Sequence, residues 1–148
     1  MTIKEYKKNI RPKEESIQLR VCNYIKTMYP KVIFTCDLSS GMKLPIWMAI
    51  KAKKMRSGRG LPDIMILHPS GNFHALLIEL KRDGVNLFKK NGEPADEHIK
   101  EQLEISKRLS ELGYCSVIAV GFDDAIEKIN NYFENGLKSN RKKILTIK

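Results

Sequence analysis

Apolar and polar positions recur along this chain with two periods. Glu14, Ile17, Gln18, Val21, Tyr24, Ile25 and Met28 fall three and four apart, so a helix over about Lys13–Tyr29 gathers them on one face. Pro12 stands just before this stretch and Pro30 closes it. VIFTCDLS reads as a short strand, and Leu44 to Met55, opened by Pro45, as a helix. PDIMILH and NFHALLIELKR are two strands joined by the turn signal Pro69-Ser70-Gly71-Asn72. A helix over about Ala95–Leu112 ends at Gly113 in the position of a C′ glycine. YCSVIAVG suits a buried strand. A last helix covers about Asp123–Glu134 and stops near Gly136, and the tail beyond it shows no pattern. Three strands in meander and a helical crossover to a fourth predict an α/β fold, a mixed sheet flanked by helices with an αβββαβ core.

At 148 residues the chain suits one domain with its own core. We read residues 1–12 as an N-terminal extension, 13–136 as the domain and 137–148 as a basic tail. No apolar stretch reaches membrane-spanning length and the charged N-terminus lacks a signal-peptide core, so no membrane association and a cytoplasmic location are expected. Cys22, Cys36 and Cys115 form no CxxC, and each reads as a small buried residue. The net charge of +10 favours a polyanionic partner. Its distribution sharpens this: Lys43, Lys51, Lys53, Lys54, Arg56 and Arg59 fall in a stretch without an acid, whereas acids gather between Glu93 and Glu111. The run Lys51, Lys53, Lys54, Arg56 and Arg59 is the candidate phosphate-binding surface, with a merely solvated face as the plainer reading.

The chemistry sits in GRGLPDIMILHPSGNFHALLIELKR. Asp63 opens one strand. Glu79 and Lys81, two apart on the next, share a face, while Leu76, Ile78 and Leu80 point oppositely into a core. If the two strands pair through their turn, Asp63 comes near Glu79. Adjacent carboxylates repel, and a divalent cation relieves that conflict. Magnesium typically takes one or two carboxylates and keeps several waters. Lys81 beside them can hold an attacking water and stabilise charge on a phosphorane.

Pro62-Asp63 followed by Glu79-Leu80-Lys81 resembles the PD-(D/E)xK nuclease superfamily. The helix EESIQLRVCNYIK, the approach GRGLPD, the strand LLIELK and the segment EQLEISKRLSELGYCSVIAVG together resemble the VRR-NUC family over about Lys13 to Phe133. The resemblance implies a restriction-endonuclease-like fold and Mg2+ or Mn2+ as cofactor. It implies a homodimer acting on branched DNA such as a four-way Holliday junction. It carries over residue by residue: Asp63, Glu79, Lys81, Glu14 and Gln102 as catalytic residues, with Asp63, Glu79, the Leu80 backbone carbonyl and Glu14 as metal ligands. Glu14 matches a helix-one glutamate four residues before a glutamine, here Gln18, and helical phase separately favours Glu14 over Glu15. Gln102 matches a glutamine on the helix after the acid-x-Lys strand, within the arc of Ile99, Leu103, Ile105 and Leu109.

Other readings stay open. The three charged residues alone suit a structural ion-pair cluster, Glu14 a helix-start acid, and Gln102 a satisfied core amide. His68, His74 and His98 lack ligand spacing and read as structural or surface residues. Tyr29 and Trp47 read as packing rather than base-stacking residues. A non-enzymatic DNA-binding or assembly module with a nuclease-like fold is the main alternative, and a sequence-reading restriction enzyme lacks an obvious recognition insert. Ile46, Trp47, Met48, Ile50 and Met55 exceed the needs of one small core and predict an exposed apolar patch, the motive for a dimer.

Overall fold

The computed structural model describes residues 14–37, 43–58 and 61–145, with side chains over 16–37, 43–58 and 61–135. Helix α1 (Glu14–Met28) leads into β1 (Phe34–Cys36) and helix α2 (Ile46–Lys54). Then come β2 (Ile64–Ile66), β3 (Leu76–Lys81), α3 (Glu97–Glu111), β4 (Cys115–Val120) and α4 (Phe122–Leu145). The strands form one sheet in chain order. β1–β2 and β2–β3 pair antiparallel and β3–β4 parallel, with α3 as the crossover that a parallel pair requires. This is the expected mixed sheet flanked by helices.

Strand parity divides the sheet into two faces. Ile64, Ile66, Leu76, Ile78 and Leu80 point to one side and are all but completely buried. They meet Ile17, Val21 and Ile25 of α1 and Ala125, Ile129 and Tyr132 of α4 in a single core. Fully burying an aliphatic side chain stabilises by about 1.5–3 kcal/mol, so this layer carries most of the hydrophobic driving force. Aromatic contacts clamp α1 to α4. The Tyr29 and Phe133 rings stack at 4.2 Å, and the Tyr24 and Tyr29 hydroxyls both donate to Asn130 Oδ1, at 2.9 and 2.8 Å. Met28, expected on the inner face of α1, lies in the last turn and is mostly exposed.

The opposite face carries Leu77, Glu79 and Lys81, and α3 lies on that side through Ser106, whose hydroxyl donates to the Ser116 carbonyl at 3.2 Å. Asp96 caps α3 by accepting the Ile99 N–H at 2.8 Å. At the other end Gly113 has φ +90°, and the Tyr114 and Gly113 N–H groups return to Leu109 and Ser110, both at 3.1 Å. That is a Schellman closure, and it needs glycine twice over: a Cβ there would also lie 2.8 Å from the His74 ring.

Two elements differ from expectation in length. α2 begins at Ile46, with Pro45 as its extended N-cap. α4 does not stop near Gly136 but continues to Leu145, because an interior glycine costs a helix only about 1 kcal/mol and ends it only where the backbone turns left-handed. No side chain of α2 is buried, and Ile46, Trp47 and Met55 are 81%, 66% and 76% exposed. The apolar patch expected there is present, and the packing expected of Trp47 is not. Among the described residues no helix is long and apolar enough to cross a membrane.

Candidate active site

β3 runs past the end of its antiparallel partner. Pairing with β2 ends at Ile78 opposite Ile64, so the next pair in register would be Glu79 opposite Asp63. Asp63 lies just outside β2, and its side chain turns along the strand. Its Oδ2 accepts the Leu80 N–H at 2.8 Å, filling the edge position that a longer β2 would have occupied. A strand residue presents its N–H and C=O to the same edge, so the Leu80 carbonyl faces this side as well.

Glu79 and Lys81 point together to the α3 face, as period-two geometry requires. Both are nearly buried, at 9% and 7% exposure, and Lys81 Nζ lies 3.2 Å from Glu79 Oε1. A buried carboxylate without a partner would cost several kcal/mol. Here it has the ammonium and also the Gln102 Nε2 amide, which donates to Glu79 Oε1. Gln102 is 4% exposed, and its Oε1 has no hydrogen-bond partner among the described residues. The structure therefore brings Asp63, Glu79, Lys81 and Gln102 together.

Helix α1 reaches the same place through Gln18. This buried amide donates to the Asp37 carbonyl at 3.1 Å and the Asp63 carbonyl at 3.4 Å, while the Asp37 N–H donates to the Asp63 carbonyl at 2.7 Å. Gln18 thus fixes the backbone from which the Asp63 side chain projects. Glu14 begins α1 one turn before Gln18; its side chain lies outside the described residues.

Two further residues belong to this neighbourhood. His98, expected as a structural or surface residue, brings Nε2 within 3.1 Å of Gln102 Nε2 from one turn earlier on α3. Asp37 receives Arg56 in an ion pair of 3.0 Å. Only the i−4 spacing of His98 from Gln102 signals the first, and no sequence signal marks the second. Of the candidate phosphate-binding residues, Lys51, Lys53 and Lys54 lie on the exposed end of α2, and Arg56 follows with its guanidinium on Asp37. Arg59 lies outside the described residues.

The donor set suits a hard divalent cation in kind. Two carboxylates occupy facing register positions and a backbone carbonyl shares their edge. The orphaned Gln102 Oε1 is a buried acceptor next to Glu79 that a water in this space would satisfy. No group of three His, Cys, Asp or Glu side chains assembles among the described residues, where Asp63 and Glu79 are the carboxylates at this position.

No protein-family model matches the sequence, and no curated protein matches it. Among solved structures, one described as a VRR_NUC domain protein is similar to this chain at 29% identity. The match covers 83% of this chain and 89% of that one, with a TM-score of 0.57. The restriction-endonuclease-like architecture expected from the sequence is thereby shared with a solved relative.

Proposed function

From the VRR-NUC family fold of this chain, we propose that it is a metal-dependent endonuclease that hydrolyses DNA phosphodiester bonds. One observation carries the reading: Asp63 is held on the Leu80 amide beside a buried Glu79–Lys81 pair, at the end of the sheet where backbone pairing stops. An ion pair made only for stability gains little from burial, since apolar residues of similar volume serve as well or better. A site built to receive phosphate, water and cation needs this polarity.

In this reading Asp63, Glu79 and the Leu80 carbonyl hold Mg2+ or Mn2+, with Glu14 assisting from α1. The bound cation supplies charge neutralisation at the phosphate and lowers the pKa of a coordinated water. Lys81 orients the attacking water with its ammonium and offsets charge that develops on the non-bridging oxygens. Gln102 keeps Glu79 in position through Nε2 and offers Oε1 to the water. Gln18 holds the Asp63 backbone still. Lys51, Lys53, Lys54 and Arg56, with Arg59, bind the DNA backbone and steer it to this end of the sheet.

The preferred substrate is branched DNA, and the acting species is a homodimer. The exposed apolar side chains of α2 favour the dimer, because a large exposed apolar surface often marks an interface. A two-fold pair presents two equivalent sites to a four-way junction, whose scissile strands are also related by two-fold symmetry.

The test is to incubate the protein with junction, flap, splayed and linear DNAs in Mg2+ and Mn2+, alongside Glu79→Ala. Junction cleavage lost in the variant is the expected result. Wild-type binding with no cleavage in either metal would favour a non-enzymatic DNA-binding module. Light scattering at tens of micromolar should give the mass of a dimer; a monomer that cleaves linearly with enzyme concentration would end the paired-site reading.

A further inference from the structure

Cys22 and Cys36 lie on different elements, the third turn of α1 and the last residue of β1. Their Sγ atoms are 2.6 Å apart. That is well inside the van der Waals contact of two sulfurs and close to the ~2.05 Å of a disulfide bond. Both residues are half-buried. The two thiols, 14 positions apart in sequence, are thus brought within reach of joining. We infer that Cys22 and Cys36 form a redox modification site, a dithiol that a low-molecular-weight disulfide converts to an intramolecular disulfide tying α1 to β1.

The two sulfurs are not equivalent. Cys22 is held below the usual thiol range, first by the hydrogen bond with Cys36 and then, against the opposing effect of burial, by the Lys26 ammonium one turn on. Cys36 is pushed up by that same hydrogen bond, by burial and by the charges of Cys22 and Asp63. Cys22, on the same helix one turn from the Lys26 ammonium, is the attacking group, since the thiolate is the nucleophile. Its thiolate displaces one thiolate from the reagent and forms a mixed disulfide at Cys22. Cys36 then loses its proton and attacks Cys22 Sγ, expelling the second thiolate. Overall two protein thiols become one S–S bond, and one reagent disulfide becomes two thiols.

The bond would fasten a seam that already matters to the site. Cys36 precedes Asp37, and Cys22 lies one turn after Gln18; those two residues are the ones that grip the Asp63 backbone. The inference does not depend on the nuclease reading, because chemistry and fold alone carry it.

The experiment treats the reduced full-length protein with excess glutathione disulfide at pH 8, quenches with an alkylating agent and maps peptides by mass spectrometry. The expected product is an intact chain lighter by two hydrogens, with Cys22 linked to Cys36. Cys115, whose thiol burial pushes up, should be alkylated. Closing a loop of this size should raise Tm by roughly 10 °C, reversed by reductant. In Cys36→Ser the attacking thiol should stop at one persistent glutathione on Cys22. Wild-type protein that ends with both cysteines alkylated, with stable glutathione on either, or with chain-to-chain links that scale with concentration would overturn the inference. Those outcomes are read on wild-type protein, so poor folding of a variant does not blunt the test.

Discussion

Asp63 Oδ2 accepts the Leu80 N–H at 2.8 Å, so one carboxylate both ends the β2–β3 pairing and stands at the candidate metal position. The two roles separate by substitution. Asp63→Asn keeps an acceptor for the amide and should unfold within about 0.5 kcal/mol of wild type, whereas Asp63→Ala leaves the amide without its partner and should lose about 1–2 kcal/mol. Both should lower cleavage by about 100-fold or more. Denaturant melts and single-turnover assays on the pair decide; an Asp63→Asn protein that cleaves normally removes Asp63 from the chemistry.

Glu79 and Lys81 should be strongly coupled. Lys81→Met takes the ammonium away from a buried carboxylate and should destabilise by about 3–5 kcal/mol. Adding Glu79→Gln to Lys81→Met should recover most of that loss while activity stays absent. Equilibrium unfolding of the two singles and the double forms the cycle. Additive effects would show that the 3.2 Å contact carries no energy.

The first helix makes a sharper comparison. Glu14 stands one turn before Gln18, which touches the Asp63 carbonyl. Glu14→Gln should slow cleavage about tenfold or more and Glu15→Gln should leave it near wild type. Equal rates for the two variants would take α1 out of the chemistry.

Replacing Lys51, Lys53 and Lys54 with Ala should flatten the dependence of DNA affinity on salt by about one unit of slope per lost contact. Arg56→Ala should change it less, because its guanidinium already spends part of its charge on Asp37. Fluorescence anisotropy across salt concentrations measures both. An unchanged slope in the triple variant returns these lysines to a solvated surface.

The core predicts an alkaline limit. Burial, with the neighbouring Cys115 charge, pushes the Tyr132 hydroxyl up to about 12 against a weaker opposing contribution from Ser70. An unfolded tyrosine titrates near 10. The folded state therefore keeps this proton longer, and its stabilising effect is full below pH 10 and lost as pH rises towards about 12. Tyr132→Phe should cost about 1 kcal/mol at neutral pH, since the hydroxyl donates to the His68 carbonyl at 2.6 Å, but should fall less steeply above pH 10. Parallel slopes for the two proteins in alkaline denaturation would exclude Tyr132 as the cause.

Most of this arrangement is written in local periodicity. Alternation along LLIELK puts Glu79 and Lys81 opposite Leu76, Ile78 and Leu80, and the register with β2 does the rest by bringing Asp63 across from Glu79. Helical spacing likewise turns Gln102 inward beside Ile99. Contacts between distant segments were not legible. Gln18 reads in sequence as a spacing mark for Glu14, and only the docking of α1 against the end of β2 turns its amide onto two carbonyls. The Cys22–Cys36 contact and the Arg56–Asp37 pair join elements whose separation no periodicity encodes. His98 shows no ligand pattern in sequence, yet helix geometry alone puts it a turn from Gln102. The end of α4 is not legible at Gly136 either, because a glycine's power to end a helix depends on backbone angle and not on residue type.

The hub position of β3 also bears on how the site comes together as the chain folds. Three contacts assemble it: Leu80 to Asp63 across 17 residues, Gln102 to Glu79 across 23, and Gln18 to Asp63 across 45. Loop-closure entropy grows only with the logarithm of length, so the longest of these costs about 1 kcal/mol more than the shortest. No contact is far costlier to close than the others, and the Leu80–Asp63 contact rests directly on the β2–β3 hairpin. A defect under that hairpin, such as Ile78→Ala, should therefore slow folding as well as unfold the protein sooner, whereas a defect in α2, which buries nothing, should leave the folding rate untouched.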